Sequence, residues 1–413
     1  MVSFCRIICG DKKYHGEHII NSILDSTLKM NTDLKNLLIV ARYPIGGILS
    51  YIRYTYGNIK SGRYKISMII PGDYEKEAEI IRNELVKHGI NVYMAKGKNK
   101  NIALTREIIK YLLNNKINIV HSQGATCGIL VSFANSFFRI PHINTLHETF
   151  EEIPTKGTIE KYKDKIIGYM LSRADIINTV TEDAENNLRK RFPTLERHKR
   201  KIITIHNGID TAYFLENNNS WKSIREIEGI RNDSFVIGYL GRFMPEKGFR
   251  ILVDAIEHII NSGTINKDIK VLALGNGAYI REYREYINGK GLNDRFVFPG
   301  FQTDVRWVLR QIDLLAIPSL REACPLVSAE GLVCGTPVVA SKCIGLREVT
   351  HNTPAQMVEP GNPSALGGKI VEIMNNYQSI KNECVAFVPE AVNRFDAGRT
   401  SAKLEEIITN LLH

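Results

Sequence analysis

The stretch 318–330, Pro-Ser-Leu-Arg-Glu-Ala-Cys-Pro-Leu-Val-Ser-Ala-Glu, decides how the rest of the chain is interpreted. It lies between two apolar segments, 312–317 and 337–340, which the pattern predicts as buried strands. The apolar residues after Glu322 favour a short helix that covers a parallel sheet. Glu322 is therefore predicted on the strand-to-helix turn and Glu330 about two turns into the helix. Ligands of open α/β sheets bind beyond the carboxyl ends of the strands, so both carboxylates are predicted to reach one polar ligand.

The competing interpretation is a pair of solvent-exposed glutamates, the usual state of this residue. The pattern Pro-Ser-x-x-Glu, seven residues and a second Glu nevertheless resembles the donor-site signature of the family-four retaining glycosyltransferases, which have the GT-B fold. The resemblance implies an α/β chain with two Rossmann-like, doubly wound domains that face a central cleft. It also implies that Glu322 orients hydroxyls of the donor sugar and that Glu330 holds the ribose.

The residues between the two glutamates are implied to bind the donor as well. They are Ala323, Cys324, Pro325 and Leu326. The pair Ala323-Cys324 stands where the family more often has a glycine and a bulky residue, and Gly331 stands where alanine is usual. These departures leave the acidic pair intact and leave the identity of the sugar open.

The overall composition predicts two globular domains. The chain has 413 residues, of which 44% are hydrophobic and 24% charged. Its seven cysteines form no Cys-x-x-Cys pair, which favours a reduced, cytoplasmic protein over a disulfide framework. The longest apolar stretch, 128–138, is too short to span a bilayer and is predicted as a buried helix.

The net charge of +10 indicates an anionic partner, such as nucleotide phosphates, nucleic acid or an acidic membrane surface. Part of the charge is concentrated in a basic cluster, residues 189–201. The cluster is equally well interpreted as a solvated surface or as a patch that docks on the inner membrane surface. Aromatic residues are not interleaved with these cations, so no nucleic-acid partner is expected.

The first half alternates strands with helices, which predicts a parallel sheet. After the strand 37–41, the turn containing Gly46 and Gly47 resembles the glycine-rich first loop of the family and is predicted to bind the donor. A tight turn without any ligand is the competing interpretation. The segment 157–175 is predicted as an amphipathic helix whose apolar stripe, Ile159, Tyr162, Ile166, Ile167, Met170 and Leu171, packs in the core.

His147 follows the predicted strand 141–146. An ordinary polar turn residue is one interpretation, but its place at a strand end favours the cleft. The resemblance implies that His147 contacts the transferred sugar and acts with the catalytic residues.

The domain boundaries follow from the loss of periodicity in residues 211–232. Residues 1–34 are predicted as an N-terminal extension of unknown role, 35–210 as the acceptor-side domain and 211–390 as the donor-binding domain. The helix in residues 391–413 is expected to return to the first domain, as the resemblance implies.

The loop 241–248 follows the strand 235–240 and carries Gly241, Arg242 and Lys247. An arginine fork and a lysine at the start of a helix together neutralise a diphosphate. The loop resembles the Gly-Arg-x-x-x-x-Lys-Gly of the family, which holds the diphosphate of the donor there. Phe301, after the strand 296–300, is implied to contact the base, with core packing as the alternative.

The chain is thus predicted to be a retaining, hexosyltransferase-type glycosyltransferase that moves a sugar from a nucleotide-diphosphate donor, preferably a UDP-sugar, to a hydroxyl on a glycan or lipid-linked acceptor. Arg242, Lys247, Glu322 and His147 are its predicted catalytic residues. No metal or other cofactor is expected, because the two cations supply the positive charge. A nucleotide-sugar epimerase and a non-catalytic binding protein of the same fold are the alternatives.

Overall fold

The structure, a computed structural model, describes residues 34–59, 62–72, 75–151, 157–216, 221–263 and 265–413. All of the predicted extension, residues 1–34, except its last residue lies outside the described residues. The described residues form two separate parallel sheets, and this confirms the prediction of two doubly wound α/β domains. The predicted boundary near residue 210 lies between the two sheets.

The first sheet has seven strands in the order β3-β2-β1-β4-β5-β6-β7. The strands are β1 (Lys35–Ala41), β2 (Tyr64–Pro71), β3 (Ile90–Ala95), β4 (Ile119–Gln123), β5 (His142–Leu146), β6 (Ile176–Thr179) and β7 (Ile202–Thr204). Side chains alternate along β1, so that Leu37 and Ile39 enter one apolar cluster and Leu38 and Val40 enter another. Both faces are therefore covered, which explains why the strands read as continuous apolar runs.

The helices of this domain are α1 (Gly47–Gly57), α2 (Glu75–Lys87), α3 (Lys100–Asn114), α4 (Ala125–Ala134), α5 (Thr158–Ser172) and α6 (Glu182–Arg191), followed by a 3-10 segment at Pro193–Lys201. Helices α3, α4 and α5 cover one face of the sheet, where neighbouring helices share apolar clusters. Helix α1 covers the other face together with the last helix of the chain.

The second sheet has six strands in the order β10-β9-β8-β11-β12-β13. The strands are β8 (Phe235–Leu240), β9 (Ile269–Leu274), β10 (Phe296–Gly300), β11 (Leu314–Ile317), β12 (Val338–Ser341) and β13 (Gln356–Val358). The helices from the domain boundary onward are α7 (Thr211–Leu215), α8 (Ile224–Ile227), α9 (Phe249–Ser262), α10 (Ile280–Gly289), α11 (Arg306–Leu309), α12 (Leu326–Val333), α13 (Leu346–Val349) and α14 (Pro363–Asn375). Short 3-10 segments lie at Pro245–Lys247 and Asn293–Arg295.

Two further helices, α15 (Tyr377–Phe395) and α16 (Ala397–Leu412), end the chain. The carboxylate of Asp396 caps α16 by accepting a hydrogen bond from the Gly398 N–H at 2.7 Å. Helix α16 packs beside α1, where the Ser401 hydroxyl donates to the Thr55 carbonyl at 2.7 Å. The chain therefore returns to the first domain.

The structure differs from the sequence prediction at α5. The predicted helix is present, but Ile159, Tyr162 and Ile166 are exposed rather than buried in the core. The buried side of α5 contains Gly168, Leu171 and the polar residues Asp164 and Ser172.

The cysteines at described positions are free thiols. Within the described parts of the chain, no helix combines the length and the apolar character that a membrane crossing requires.

Candidate active site

The predicted site residues come from loops that follow strands of both sheets. Gly46 follows β1 and His147 follows β5, whereas Arg242 follows β8 and Glu322 follows β11. The strands of each sheet are parallel, so these loops gather at one edge of each sheet. This placement agrees with the sequence prediction for both halves of the site.

The two loop edges meet across a cleft. The hydroxyl of Thr181, in the first domain, donates a hydrogen bond to the carbonyl of Ala323 in the second, at 2.8 Å. Arg321 forms an ion pair with Glu151 at 2.9 Å across the same gap. Tyr54 of α1 enters the apolar cluster beneath α12. One cleft is therefore bordered by residues of both domains.

Lys247 and Glu322 are in direct contact. The Lys247 Nζ donates to both carboxylate oxygens of Glu322, at 2.7 and 2.8 Å. The Ser319 hydroxyl donates to the same carboxylate at 2.7 Å. The carboxylate is almost buried and the ammonium partly so. The carboxylate thus fixes the position of the cation, and part of the Lys247 side chain remains exposed.

Backbone contacts bring the loops of Lys247 and Glu322 together. The Leu320 N–H donates to the Glu246 carbonyl at 2.8 Å. Gly248 has a φ of +69°, and a Cβ there would lie 1.9 Å from the Pro318 carbonyl oxygen. Only glycine fits this position, which explains why the basic loop ends in that residue.

Arg242 lies at the start of the same loop, and its side chain is exposed. It forms no ion pair with another residue in the described part of the chain. Its guanidinium is therefore available to an anionic ligand, whereas Lys247 is partly buried against Glu322.

Glu330 lies in α12, where it is almost completely buried. Burial raises the pKa of its carboxyl to about 7, and the positive charge of Arg53 in the opposite domain partly offsets this effect. Arg53 donates a hydrogen bond to the hydroxyl of Tyr54 at 2.8 Å and forms an ion pair with Glu84 at 3.2 Å. The second predicted carboxylate thus faces the first domain and titrates near neutral pH.

His147 lies at the cleft edge of β5. Its Nε2–H donates to the Gln123 Oε1 at 2.8 Å, and its ring packs edge-on against Tyr51 at 4.7 Å. Burial lowers the pKa of His147 to about 3. The imidazole is therefore neutral at physiological pH, with its unprotonated Nδ1 as a hydrogen-bond acceptor.

Glu148 is a buried acid that the sequence prediction did not select. Its carboxylate accepts hydrogen bonds from the N–H groups of Ala125, at 2.6 Å, and His147, at 3.0 Å. Burial raises the pKa of Glu148. The carboxylate covers the N-terminus of α4 and holds the backbone of His147. Gly124 precedes α4 with a φ of +86°, and a Cβ there would lie 3.4 Å from the Glu148 carboxylate.

Other predicted donor-binding residues lie either in exposed loops or beside a cavity. Gly46 and Gly47 have open space where a Cβ would stand, so a ligand can approach this backbone closely. Phe301 is exposed, which makes the alternative of core packing wrong. Cys324, Pro325 and Leu326 border a cavity of about 380 Å³, most of whose other lining residues belong to residues 205–207 and to the last two helices.

Gly241 and Ala323 complete the loops on the second domain. The backbone of Gly275 packs closely against that of Gly241. A Cβ on Gly275 would lie 1.9 Å from the Gly241 carbonyl oxygen. Ala323 is buried, and its carbonyl oxygen accepts the hydrogen bond from the Thr181 hydroxyl.

Charged side chains join the two domains at α6 and α13. Asp183 accepts two hydrogen bonds from the guanidinium of Arg347, both at 2.7 Å. Glu348 accepts from the N–H groups of Glu182 and Asp183, at 3.0 and 2.7 Å, and from the Nε2–H of His206 at 2.6 Å. Each helix thus receives an acid of the other domain at its N-terminal end. We call Asp183, His206, Arg347 and Glu348 the clasp.

Metal-ligating side chains do not gather in the described residues, since no three of His, Cys, Asp and Glu lie where they could hold one ion.

Family models match both halves of the chain. The model described as Glycosyltransferase Family 4 matches residues 45–213, and the model described as Glycosyl transferases group 1 matches residues 234–376. The first match contains His147 and the second contains Arg242, Lys247 and Glu322.

Curated relatives are similar over most of the chain. The 2-deoxystreptamine N-acetyl-D-glucosaminyltransferase of Streptomyces fradiae is 25% identical over 295 residues, which cover 69% of this chain and 69% of the relative. The UDP-Gal:alpha-D-GlcNAc-diphosphoundecaprenol alpha-1,3-galactosyltransferase of Escherichia coli is 27% identical over 255 residues, which cover 60% of this chain and 65% of the relative.

Solved structures share the fold. The Anabaena protein HepE, solved in complex with UDP-glucose, superposes on this chain with a TM-score of 0.75 at 20% identity. The superposition covers 91% of this chain and 99% of HepE. The order of the two family models agrees with the two domains of the structure, and the curated relatives are glycosyltransferases. The chain therefore belongs to the family-four, group 1 glycosyltransferases, and it is a glycosyltransferase with the GT-B fold.

Proposed function

We propose that this glycosyltransferase moves a hexose from a UDP-sugar to a hydroxyl of a glycan or lipid-linked acceptor, with retention of the anomeric configuration. The observation that carries the proposal is the placement of Arg242, Lys247 and Glu322 at one edge of the second sheet, opposite His147 and the Gly46-Gly47 loop. A diphosphate needs cations, and a sugar needs hydrogen-bonding groups beside them. The cleft has both.

Arg242 and Lys247 are proposed to bind the diphosphate. In the reaction the bond between the anomeric carbon and the diphosphate oxygen breaks, and the oxygen keeps the electron pair. Two cations beside that oxygen stabilise the charge that develops on it. Lys247 is already held by Glu322, so little rearrangement is needed when the donor arrives. A metal ion is not required in this proposal, because the positive charge comes from the side chains.

The acceptor hydroxyl forms the new bond to the anomeric carbon, and its proton ends on the released UDP. Glu322 is proposed to orient hydroxyls of the transferred sugar, and Glu330 to hold the ribose. His147 stays neutral, so it contributes a hydrogen bond to the sugar rather than a charge. Glu148 fixes the backbone of His147 and is proposed to position it.

The uridine donor and the acceptor class are supported by the relatives. The Escherichia coli relative uses UDP-Gal and a lipid-linked acceptor, and HepE was solved with UDP-glucose. We propose that the chain acts in the cytoplasm, in the synthesis of a surface glycan, polysaccharide or glycolipid.

The basic cluster, residues 189–201, gives limited support to docking at the inner membrane surface. Arg189 pairs with Glu185 at 2.7 Å, and Arg191 pairs with Asp164 at 2.9 Å. At least these two cations already have protein partners. A different surface of the same domain is better suited to a membrane.

The test is a panel of UDP-sugars incubated with the protein, with and without glycan or polyprenyl-diphosphate-linked acceptors. We expect UDP release that rises at least about tenfold when the right acceptor is added. The anomeric proton coupling of the product, measured by NMR, reports retention. Conversion of the UDP-sugar to an isomer without acceptor would indicate an epimerase, and binding without either change would indicate a non-catalytic protein.

A further inference from the structure

The outward face of α5 is apolar although it faces solvent. Ile159, Tyr162, Ile166 and Tyr169 are 72%, 62%, 63% and 59% exposed. Their spacing of three, four and three residues places them in one stripe along the helix. We call these four residues the α5 face. The opposite side of α5 is buried, so this apolar surface is left over after the core is packed.

The neighbouring helices carry exposed apolar residues as well. Phe133 and Phe137, at the end of α4, are exposed, as are Ile102 and Leu113 of α3. A groove of about 450 Å³ between α3 and α4 has Ile102 and Phe133 among its lining residues. Clusters of exposed apolar side chains mark interaction surfaces on soluble proteins.

Lysines border the α5 face on both sides. At 3.6 residues per turn, Lys163 lies along one edge of the stripe, and Lys161 and Lys165 lie along the other. All three are exposed, and so is Arg173 at the end of α5. The Nζ of Lys165 lies 5.6 Å from the ring centre of Tyr162.

Acids are few on the same helix. Glu160 is exposed, whereas Asp164 is buried and paired with Arg191. The outer surface of α5 is therefore both apolar and cationic.

We infer that the α5 face docks on the anionic leaflet of a membrane. Helices that lie in the bilayer interface combine an apolar stripe with flanking lysines, whose ammonium groups reach the lipid phosphates. Tyrosine rings suit the boundary between acyl chains and headgroups. A protein partner is disfavoured because lysine is depleted at protein interfaces.

The position of α5 would place the cleft near the membrane. Helix α5 is the helix that follows β5, and the carboxyl end of β5 carries His147 at the cleft. Docking through α5 therefore brings the acceptor-side edge of the cleft near the membrane, where a lipid-linked hydroxyl would be presented. The inference concerns binding alone and does not depend on the proposed reaction.

Vesicle co-sedimentation of the full chain, without donor or acceptor, tests the inference. The vesicles are phosphatidylcholine alone or with about 30 mol% phosphatidylglycerol. We expect at least about tenfold tighter binding to the anionic vesicles, weakened by salt. The stripe variant, with Ile159, Tyr162, Ile166 and Tyr169 all changed to Ser, should lose this binding.

Two further variants test whether vesicle binding depends on the lysines of α5 or on the net charge of the whole protein. Changing Lys161, Lys163 and Lys165 to Ser should remove the preference for anionic vesicles. Changing the exposed second-domain cations Lys267, Arg281 and Arg284 to Ser removes the same charge and should leave binding unchanged. All altered positions are on the surface, so circular dichroism and melting temperature should stay close to wild type.

Ile166→Trp supplies a direct probe of the surface. Its added tryptophan emission, taken as the difference from wild type, should shift to the blue only when anionic vesicles are present. Emission that is already blue-shifted without vesicles and does not respond to them would show that another part of the chain, such as residues 1–33, covers the face.

Other results would overturn the inference as well. Equal vesicle binding by the stripe variant and wild type would show that α5 does not contact lipid. A wild-type dimer that the stripe variant converts to monomer, with no vesicle binding by either, would make the face a contact between two copies of the chain.

Discussion

The ammonium of Lys247 donates to both carboxylate oxygens of Glu322, at 2.7 and 2.8 Å, so the two signature motifs of the second domain form a single unit. One motif supplies a cation for a diphosphate and the other a carboxylate for sugar hydroxyls. Because the Lys247 ammonium is hydrogen-bonded to the Glu322 carboxylate, the position of each group sets that of the other. A substitution at either residue should therefore disturb both parts of donor binding.

Arg242→Ala and Lys247→Ala should each lower kcat by about 10²–10³, because each removes a charge beside the leaving diphosphate. Their effects on stability should differ. Arg242 is exposed and its loss should be neutral, whereas Lys247→Ala leaves the Glu322 carboxylate nearly buried without its cation and should cost about 1–3 kcal/mol. Denaturant unfolding and steady-state kinetics measure the two quantities. Lys267→Ala, a loss of charge elsewhere in the domain, is the control, and activity within about threefold of wild type in both variants would exclude the diphosphate role.

Donor affinity should depend on the protonation of Glu330. Its pKa is about 7, so the carboxylate that would hold the ribose is mostly lost below that pH. The KM for the donor should therefore rise as the pH falls from 8 to about 6. Glu330→Gln is neutral at every pH and should remove this dependence. An unchanged pH profile in that variant would assign the titration to another group.

The same carboxyl should make the ligand-free protein less stable as the pH rises. The ordinary value of 4.5 applies to the unfolded chain, so between pH 4.5 and about 7 the folded protein holds a proton that the unfolded chain has lost. Its contribution to the free energy of unfolding therefore decreases with rising pH in this window. The difference between wild type and Glu330→Gln, measured by denaturant unfolding at several pH values, isolates it. A difference that does not vary with pH would contradict the raised pKa.

Gln123→Met should lower kcat through His147. The substitution removes the acceptor of the Nε2–H while nearly keeping the volume, so the ring loses its fixed orientation. We expect a kcat about tenfold to a hundredfold lower with little change in the KM for the donor. The wild-type profile should show no inflection from His147 between pH 5 and 8, because its pKa is about 3. Gln378→Met, at an exposed site, is the control, and an unchanged kcat in Gln123→Met would end the positioning role.

Asp183→Ala should loosen the clasp. It removes both hydrogen bonds from Arg347 and one from the Gly345 N–H. We expect a larger radius of gyration in small-angle scattering and a loss of about 1 kcal/mol of stability. Asp233→Ala is matched to it, because Asp233 accepts two hydrogen bonds from Arg231 within one domain. Identical scattering from Asp183→Ala and Asp233→Ala would mean that the clasp does not set the domain arrangement.

Excess EDTA should leave the turnover unchanged. The proposal assigns the charge of a divalent ion to Arg242 and Lys247, so no ion is needed at the diphosphate. The assay is UDP release with EDTA, then with added magnesium or manganese. Activity that disappears in EDTA and returns with either ion would refute metal independence.

The basic loop and the acidic pair could be predicted from sequence because each motif is local. Gly248, Lys247 and Glu322 each follow a recognisable buried strand, and parallel strands bring such loops to one edge. Glu148 could not be predicted. Its role depends on the N-terminus of α4, which comes near only when β4 and β5 pair.

The orientation of α5 shows a second limit. Periodicity reveals an apolar stripe but does not say which side of the helix faces the core. The more apolar side was expected inside. The structure instead buries Gly168, where a Cβ would lie 2.3 Å from the Thr194 hydroxyl, and Asp164, which is neutralised by Arg191. The close packing of Gly168 against Thr194 and the ion pair between Asp164 and Arg191 therefore determine which side of α5 is buried.

The clasp also has a consequence for the kinetics of donor capture. If donor entry requires the two domains to part, the charged hydrogen bonds of Arg347 and Glu348 must break first. The observed rate of donor association should therefore stop rising with donor concentration and level off at the rate of domain opening. Release of UDP must wait for the same event, so opening would limit both ends of the catalytic cycle.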